Sequence, residues 1–175
     1  MQRTAAITTE FENVPARALV TLGAHRPVSP GAAAVAVCQD RAAEKAHFVR
    51  CGVPCAPHAV IDSAAALAAV PDALLPGILK TARLGYDGKG QLRVATRAEL
   101  ERAWADLGRV ACVLEKMLPL AFEVSVVVAR SAAGEVVHFP VQHNLHRGGI
   151  LAVTTVPAPG VDAGLEARAV AAAQQ

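Results

Sequence analysis

Residues 80–91, KTARLGYDGKGQ, bring together two lysines, the chain's only tyrosine and three glycines. The chain has four lysines in all, Lys45, Lys80, Lys89 and Lys116, against thirteen arginines, so this short stretch concentrates scarce residue types. PGILK before it and QLRVA after it are β-branched or apolar runs bounded by turn residues, which predicts a strand, a loop and a second strand. Glycines at 85, 88 and 90 let backbone N–H groups approach an anion closely, and lysine adds neutralising charge. Such a loop can fold over a polyphosphate, and ATP fits that chemistry. The stretch is neither a G-x4-G-K-[ST] loop nor a G-x-G-x-x-G turn opening a helix. On spacing alone the plainer reading is a Gly-rich hairpin with exposed lysines, so the surroundings have to decide.

Composition sets the bounds. The 175 residues suffice for one ordinary domain or two small ones, and 53% hydrophobic with 18% charged residues is a core-forming balance. A net charge of +2 is far from the clustered basic excess of a nucleic-acid binder. The N-terminus MQRTAAITTEFENVP lacks a signal-length apolar run, and no stretch approaches the roughly 20 apolar residues that span a bilayer, so a soluble cytoplasmic protein is expected. Cys51, Cys55 and His58 form C-x3-C-x2-H, but neither Cys38 nor Cys112 supplies the second close pair that a structural zinc site needs.

Along the chain, AAITT predicts a short strand and PARALVTLG a helix with Pro at its first turn. Residues 31–50 predict two helices with Asp40 as a cap between them, stopped by CGVPCAP. PHAVI predicts a strand, SAAALAAV a helix capped by Ser63, TRAELERAWADLG a helix whose Thr96 and Glu99 form a capping box, and VACVLEKM another strand. FEVSVVVARS, GEVVHFP and GILAVTTVP then predict an antiparallel sheet, and GVDAGLEARAVAAAQQ a final helix. No internal repeat is present.

Several charged residues stand out. Lys80 ends a predicted buried strand, where an unpaired ammonium is costly unless a carboxylate or a phosphate meets it. Glu115 and Lys116 end the apolar run VACVL, and Glu123 opens the next strand; a salt-bridged strand end is the plain explanation. His143 and His146 lie three apart, which on a strand puts them on opposite sides and argues against a shared metal ion. His146 acting singly fits better.

The motifs TTEFENVP, QDRAAEK, LKTARLGYDGKGQ, EVSVVVAR, FPVQHNLHRGGIL and VPAP occur in the order found in the N5-carboxyaminoimidazole ribonucleotide synthetases, and over essentially all 175 residues the chain resembles that ATP-grasp family of purine biosynthesis. The fold class implied is α/β, with the α+β ATP-grasp arrangement: residues 1–38 would be the end of an N-terminal pre-ATP-grasp α/β domain and 39–175 an ATP-grasp domain. The resemblance implies that Arg41 and Lys80 contact ATP phosphates and that Leu84, Gly85, Tyr86, Asp87, Gly88, Lys89 and Gly90 form a phosphate-covering loop. Glu115, Lys116, Met117 and Leu118 match the segment meeting the adenine edge, Glu123 the acid that holds the ribose hydroxyls, and His146 another ATP-site position. Tyr86, Asp87 and Lys89 also match residues lining the aminoimidazole ribonucleotide site. Ala82 stands where Arg is frequent in the family, a departure that implies weaker phosphate contacts.

The reaction implied is ATP-dependent carboxylation of 5-aminoimidazole ribonucleotide by bicarbonate through carboxyphosphate, with ATP and Mg2+ required and a homodimer usual. Against the family, the chain is expected to lack the opening Gly-rich unit and the later strand with the paired Mg2+-binding carboxylates, leaving no metal ligands here and no turnover by this chain alone. Other readings from the same residues are a non-catalytic ATP-binding remnant, half of a split enzyme, or a different ATP-grasp ligase. Tyr86-Asp87 and HNLH argue against the last.

Overall fold

The computed structural model describes residues 4–11, 13–85 and 89–175, which form two compact units. Met1–Arg50 with Pro54–Met117 make the first, and Cys51–Val53 with Leu118–Gln175 the second.

The first unit opens on helices α1 (Ala16–Gly23), α2 (Ala32–Cys38) and α3 (Arg41–Arg50), packed in succession with Leu19 and Val35 buried. Asp40 caps α3 as expected: its Oδ1 accepts from the N–H groups of Ala42 (3.0 Å) and Ala43 (3.2 Å). The expected AAITT strand does not form. Ile7 makes a single parallel bridge to Val28, donating to Pro27 O and accepting from Ser29 N–H. Pro27, whose nitrogen faces the Ile7 strand, has no N–H to extend the ladder on that side of the bridge.

A four-stranded sheet follows. Its strands are β1 (His58–Ile61), β2 (Gly77–Thr81), β3 (Gln91–Val94) and β4 (Cys112–Lys116), in the order β1-β4-β2-β3 with every pair antiparallel. Helix α4 (Ala64–Ala68), a 3-10 turn (Asp72–Leu74) and α5 (Arg97–Asp106) pack against these strands. The register pairs Leu79 with Leu114 and Ile61 with Cys112. All four are fully buried, in a core shared with Leu100 and Trp104 of α5. At about 1.5–3 kcal/mol for each large side chain buried, this face is the main source of the unit's stability. Burial pushes the Cys112 thiol up to about 11, so it stays protonated and inert. Alternation turns Ile78, Lys80, Val113, Glu115 and His58 to the opposite face, where α3 packs against β4.

The caps are close to expectation. Ser63 Oγ accepts from Ala66 N–H at 3.1 Å, and Thr96 Oγ1 from Glu99 N–H at 3.3 Å. The return bond of the capping box reaches one residue further out than expected, from Ala95 N–H to Glu99 Oε2 at 2.7 Å.

In the second unit the run FEVSVVVARS divides between two sheets. Its first half, β5 (Glu123–Ser125), pairs with β8 (Gln142–Arg147); its second half, β6 (Val128–Arg130), pairs with β7 (Val136–His138). The HNLH segment is thus the central strand of a sheet ordered β5-β8-β9, with β9 spanning Ile150–Thr155. Gly148 (φ 60°) and Gly149 (φ 82°) make the two-residue turn from β8 to β9, where both positions need the left-handed region. Helix α6 (Ala163–Gln174) is capped by Asp162, whose Oδ1 accepts from Leu165 N–H at 2.7 Å.

Candidate functional site

In the first unit the expected residues Lys80, near the end of β2, and Glu115, near the end of the antiparallel β4, meet on the sheet face opposite the core. Lys80 and Glu115 lie two residues apart on facing strands and share a face, so their side chains meet diagonally. Lys80 Nζ donates to Glu115 Oε2 at 3.0 Å, and Lys45 Nζ, from α3, lies 3.2 Å from Oε1. Burial pushes the Glu115 carboxyl up, but Lys80, by hydrogen bond and charge, and then Lys45 outweigh it and hold the group below its ordinary 4.5. A carboxylate with two ammonium partners leaves one positive charge in excess, which suits a polyanion. Lys45 drew attention only by its scarcity in the sequence; no local signal tells which strand end α3 will cover.

A lowered carboxyl pKa means that the fold stabilises the ionised form. Glu115 therefore contributes stability that is fully present above about pH 4.5 and lost as pH falls through the lowered folded value. Urea midpoints should show wild type exceeding Glu115→Gln, with the gap closing as pH falls from about 4.5 through the lowered folded value. A gap that stays constant across that range would show that the ion pairs contribute nothing.

The loop leaving β2 is tightly closed at its base. Thr81 N–H donates to Gly90 O at 2.8 Å, and at Gly90 (φ 70°) a Cβ would lie 2.7 Å from Thr81 Oγ1. A Cβ on Gly85 would lie 3.2 Å from Arg41 Nη2, so the Arg41 guanidinium rests against the loop. Arg41 also donates its backbone N–H to Ala82 O, at 2.9 Å. Leu84 takes a φ of 60°, uncommon for a residue with a side chain. A cleft of about 220 Å³ runs beside the loop, lined by Asn13, Gln39, Arg41, Glu44, Ala82, Leu84 and Gly85 among others. Arg83 Nε donates to the capping residue Asp40 at 3.0 Å, fixing the start of α3 to the loop. Tyr86, Asp87 and Gly88 lie outside the described residues; Lys89 is described, at the surface. Beyond Glu115, the N–H of Lys116 donates to Pro57 O (2.8 Å) and that of Met117 to Pro76 O (3.0 Å). Leu118 opens the longer segment of the second unit.

In the second unit Glu123 and His146 come together, with Glu123 Oε2 2.5 Å from His146 Nδ1. The register explains the contact: Glu123 pairs with Asn144, and His146 lies two residues further on the same face. That face is a polar ladder invisible from either motif alone. Asn144 Nδ2 donates to Ser125 Oγ (2.9 Å), Thr154 Oγ1 to Asn144 Oδ1 (3.1 Å) and Ser125 Oγ to Gln142 Oε1 (3.3 Å). His143 points the other way, with its ring 5.9 Å from that of Phe122. Among the described residues no three His, Cys, Asp or Glu side chains are grouped to hold a metal ion, and no helix is long and apolar enough to cross a membrane.

Comparison with known proteins matches residues 46–175 to the ATP-grasp domain and residues 1–39 to the ribonucleotide synthetase preATP-grasp domain. The N5-carboxyaminoimidazole ribonucleotide synthase of Pseudomonas aeruginosa is 42% identical over 146 residues, covering 83% of this chain and 41% of that protein. Its Brucella melitensis counterpart is 43% identical over 155 residues, covering 87% and 43%. Among solved structures, the ADP complex of an N5-carboxyaminoimidazole ribonucleotide synthetase superposes with a TM-score of 0.90 at 34% identity, over 99% of this chain and 46% of that one. The chain thus spans less than half the length of the curated relatives it matches.

Proposed function

The chain belongs to the ATP-grasp family, and from that premise we propose that it supplies ATP-binding residues for the carboxylation of 5-aminoimidazole ribonucleotide by bicarbonate, through carboxyphosphate, in purine biosynthesis. The observation that carries this reading is the Lys80–Glu115–Lys45 group beside the glycine loop, a carboxylate flanked by two cations where an anionic ligand would restore neutrality.

In this reading Lys80 and Arg41 bind phosphate oxygens, and the segment Leu84–Gly90 covers them. Glu115, Lys116, Met117 and Leu118 meet the adenine edge. Glu123 accepts from the ribose hydroxyls, a role two vicinal donors favour, and His146 orients it at 2.5 Å. Tyr86, Asp87 and Lys89 meet the aminoimidazole ribonucleotide, where a cation suits the 5-phosphate. Covering the phosphates also keeps water from carboxyphosphate, a mixed anhydride that hydrolyses readily. Mg2+ is implied by the resemblance, but the described residues offer no grouped ligand set for it, and no step here is routed through it. The same reading sets the boundary between the two domains at residues 38 and 39 and places a homodimer in the cytoplasm.

Calorimetric titration with ATP, GTP and inorganic phosphate tests the proposal. Saturable binding of ATP in preference to GTP is expected, followed by binding of 5-aminoimidazole ribonucleotide to the ATP-loaded protein. No ATP binding by folded protein would overturn the reading. ATP binding without ribonucleotide binding would point to another ATP-grasp substrate.

A further inference from the structure

The reading above counts the second partner of Glu115 only as charge and gives it no contact of its own with a ligand. Lys45 reaches Glu115 from α3, across the sheet face opposite the core, and its side chain is only 14% exposed. A half-buried ammonium is held there at an entropic and desolvation cost, so its presence calls for a reason. The other charged or titratable groups facing Glu115 within the unit are Lys80 from β2 and His58, its register partner on β1, whose Nδ1 is 3.0 Å from Ala56 O. Lys80 is the more accessible of the two lysines, at 24%.

The two ammonium groups take different carboxylate oxygens, Lys45 on Oε1 and Lys80 on Oε2. If Lys80 alone held Glu115, turning its ammonium towards a polyphosphate would strand a half-buried carboxylate, which would then take up a proton or swing away. With Lys45 in place, Glu115 keeps one full-strength partner throughout. We propose that Lys45 is a positioning residue for nucleotide binding: it keeps Glu115 seated and ionised, freeing Lys80 to transfer its ammonium from the carboxylate to the phosphates of ATP. This role rests on the ATP reading given above.

The test measures ATP binding by wild type, Lys45→Gln and Lys45→Arg across pH, together with the Nζ resonances of Lys45 and Lys80 in wild type with and without ATP. Lys45→Gln should bind ATP about tenfold more weakly near neutral pH, the scale of one charge-assisted bond. It should weaken further at a higher pH than wild type does, because its Glu115 titrates higher. Lys45→Arg should stay within about threefold of wild type, since a guanidinium keeps the charge. In wild type, ATP should shift the Lys80 resonance and leave that of Lys45 in place, a result that stands even if Lys45→Gln fails to fold. Equal affinity and an unchanged pH profile in Lys45→Gln, or movement of the Lys45 resonance instead, would overturn the role while leaving ATP binding intact. Wild type that binds no ATP would instead remove the premise, and the role with it.

Discussion

Lys80→Met should bind ATP about a hundredfold more weakly than wild type while remaining folded. Methionine keeps the stem that lies along the end of β2 and removes only the charge. The ammonium is worth about 1.5–3 kcal/mol as a charge-assisted donor, a factor of roughly 10–150 in affinity. Long-range attraction to a polyphosphate places the expectation towards the upper end. Folding survives because Lys45, 3.2 Å from the other oxygen, still neutralises Glu115. Calorimetry at two ionic strengths checks this: the loss should be larger at low salt, where the missing charge is least screened. A loss below about threefold would mean that Lys80 serves only Glu115, and the salt-bridged strand end would be its whole explanation.

The sequence discloses local features and withholds distant partnerships. Asp40, Ser63 and Thr96 announce helix starts because a cap is satisfied within three residues. The glycine loop is legible because positions 85 and 90 admit no Cβ without crowding Arg41 or Thr81. The expected meeting of Lys80 with an anion resolves to Glu115, yet nothing local shows that Lys45 joins them, since α3 and β4 are brought together only by the tertiary fold. The same limit divides FEVSVVVARS. Its alternation identifies strand residues, but Ser125 facing Gln142 and Val128 facing His138 belong to different sheets, and period-two patterning carries no information about the partner. The polar ladder of the second unit escapes for that reason too, because Ser125, Asn144 and Thr154 become neighbours only once three strands are in register.

Gly77→Ala should destabilise the first unit by about 3 kcal/mol, at the upper end of what overpacking costs. Gly77 is buried at the start of β2 and pairs with Val94 on one side and Lys116 on the other, so it has no direction in which to retreat. A Cβ there would lie 2.8 Å from Leu74 O, 2.9 Å from Glu115 O and 2.9 Å from Leu114 Cδ1. Two of the three are backbone oxygens, held by the 3-10 turn and by β4, and the third belongs to a fully buried core side chain. Relief therefore requires β4 to shift, and β4 carries Glu115, so ATP affinity should fall together with stability. Trp104, the chain's single tryptophan, sits in the same core with its Nε1 donating to Val110 O at 2.9 Å, and its fluorescence reports unfolding of this unit in urea. Gly31→Ala is the control: a Cβ there meets nothing within 4 Å and φ is −67°, so its effect should stay within about 1 kcal/mol, the scale of losing glycine at the N-cap of α2. Equal urea midpoints for the two variants would mean that β2 and β4 tolerate a wider spacing at Gly77, and the close approach that seats Glu115 beside Lys80 would then need another cause.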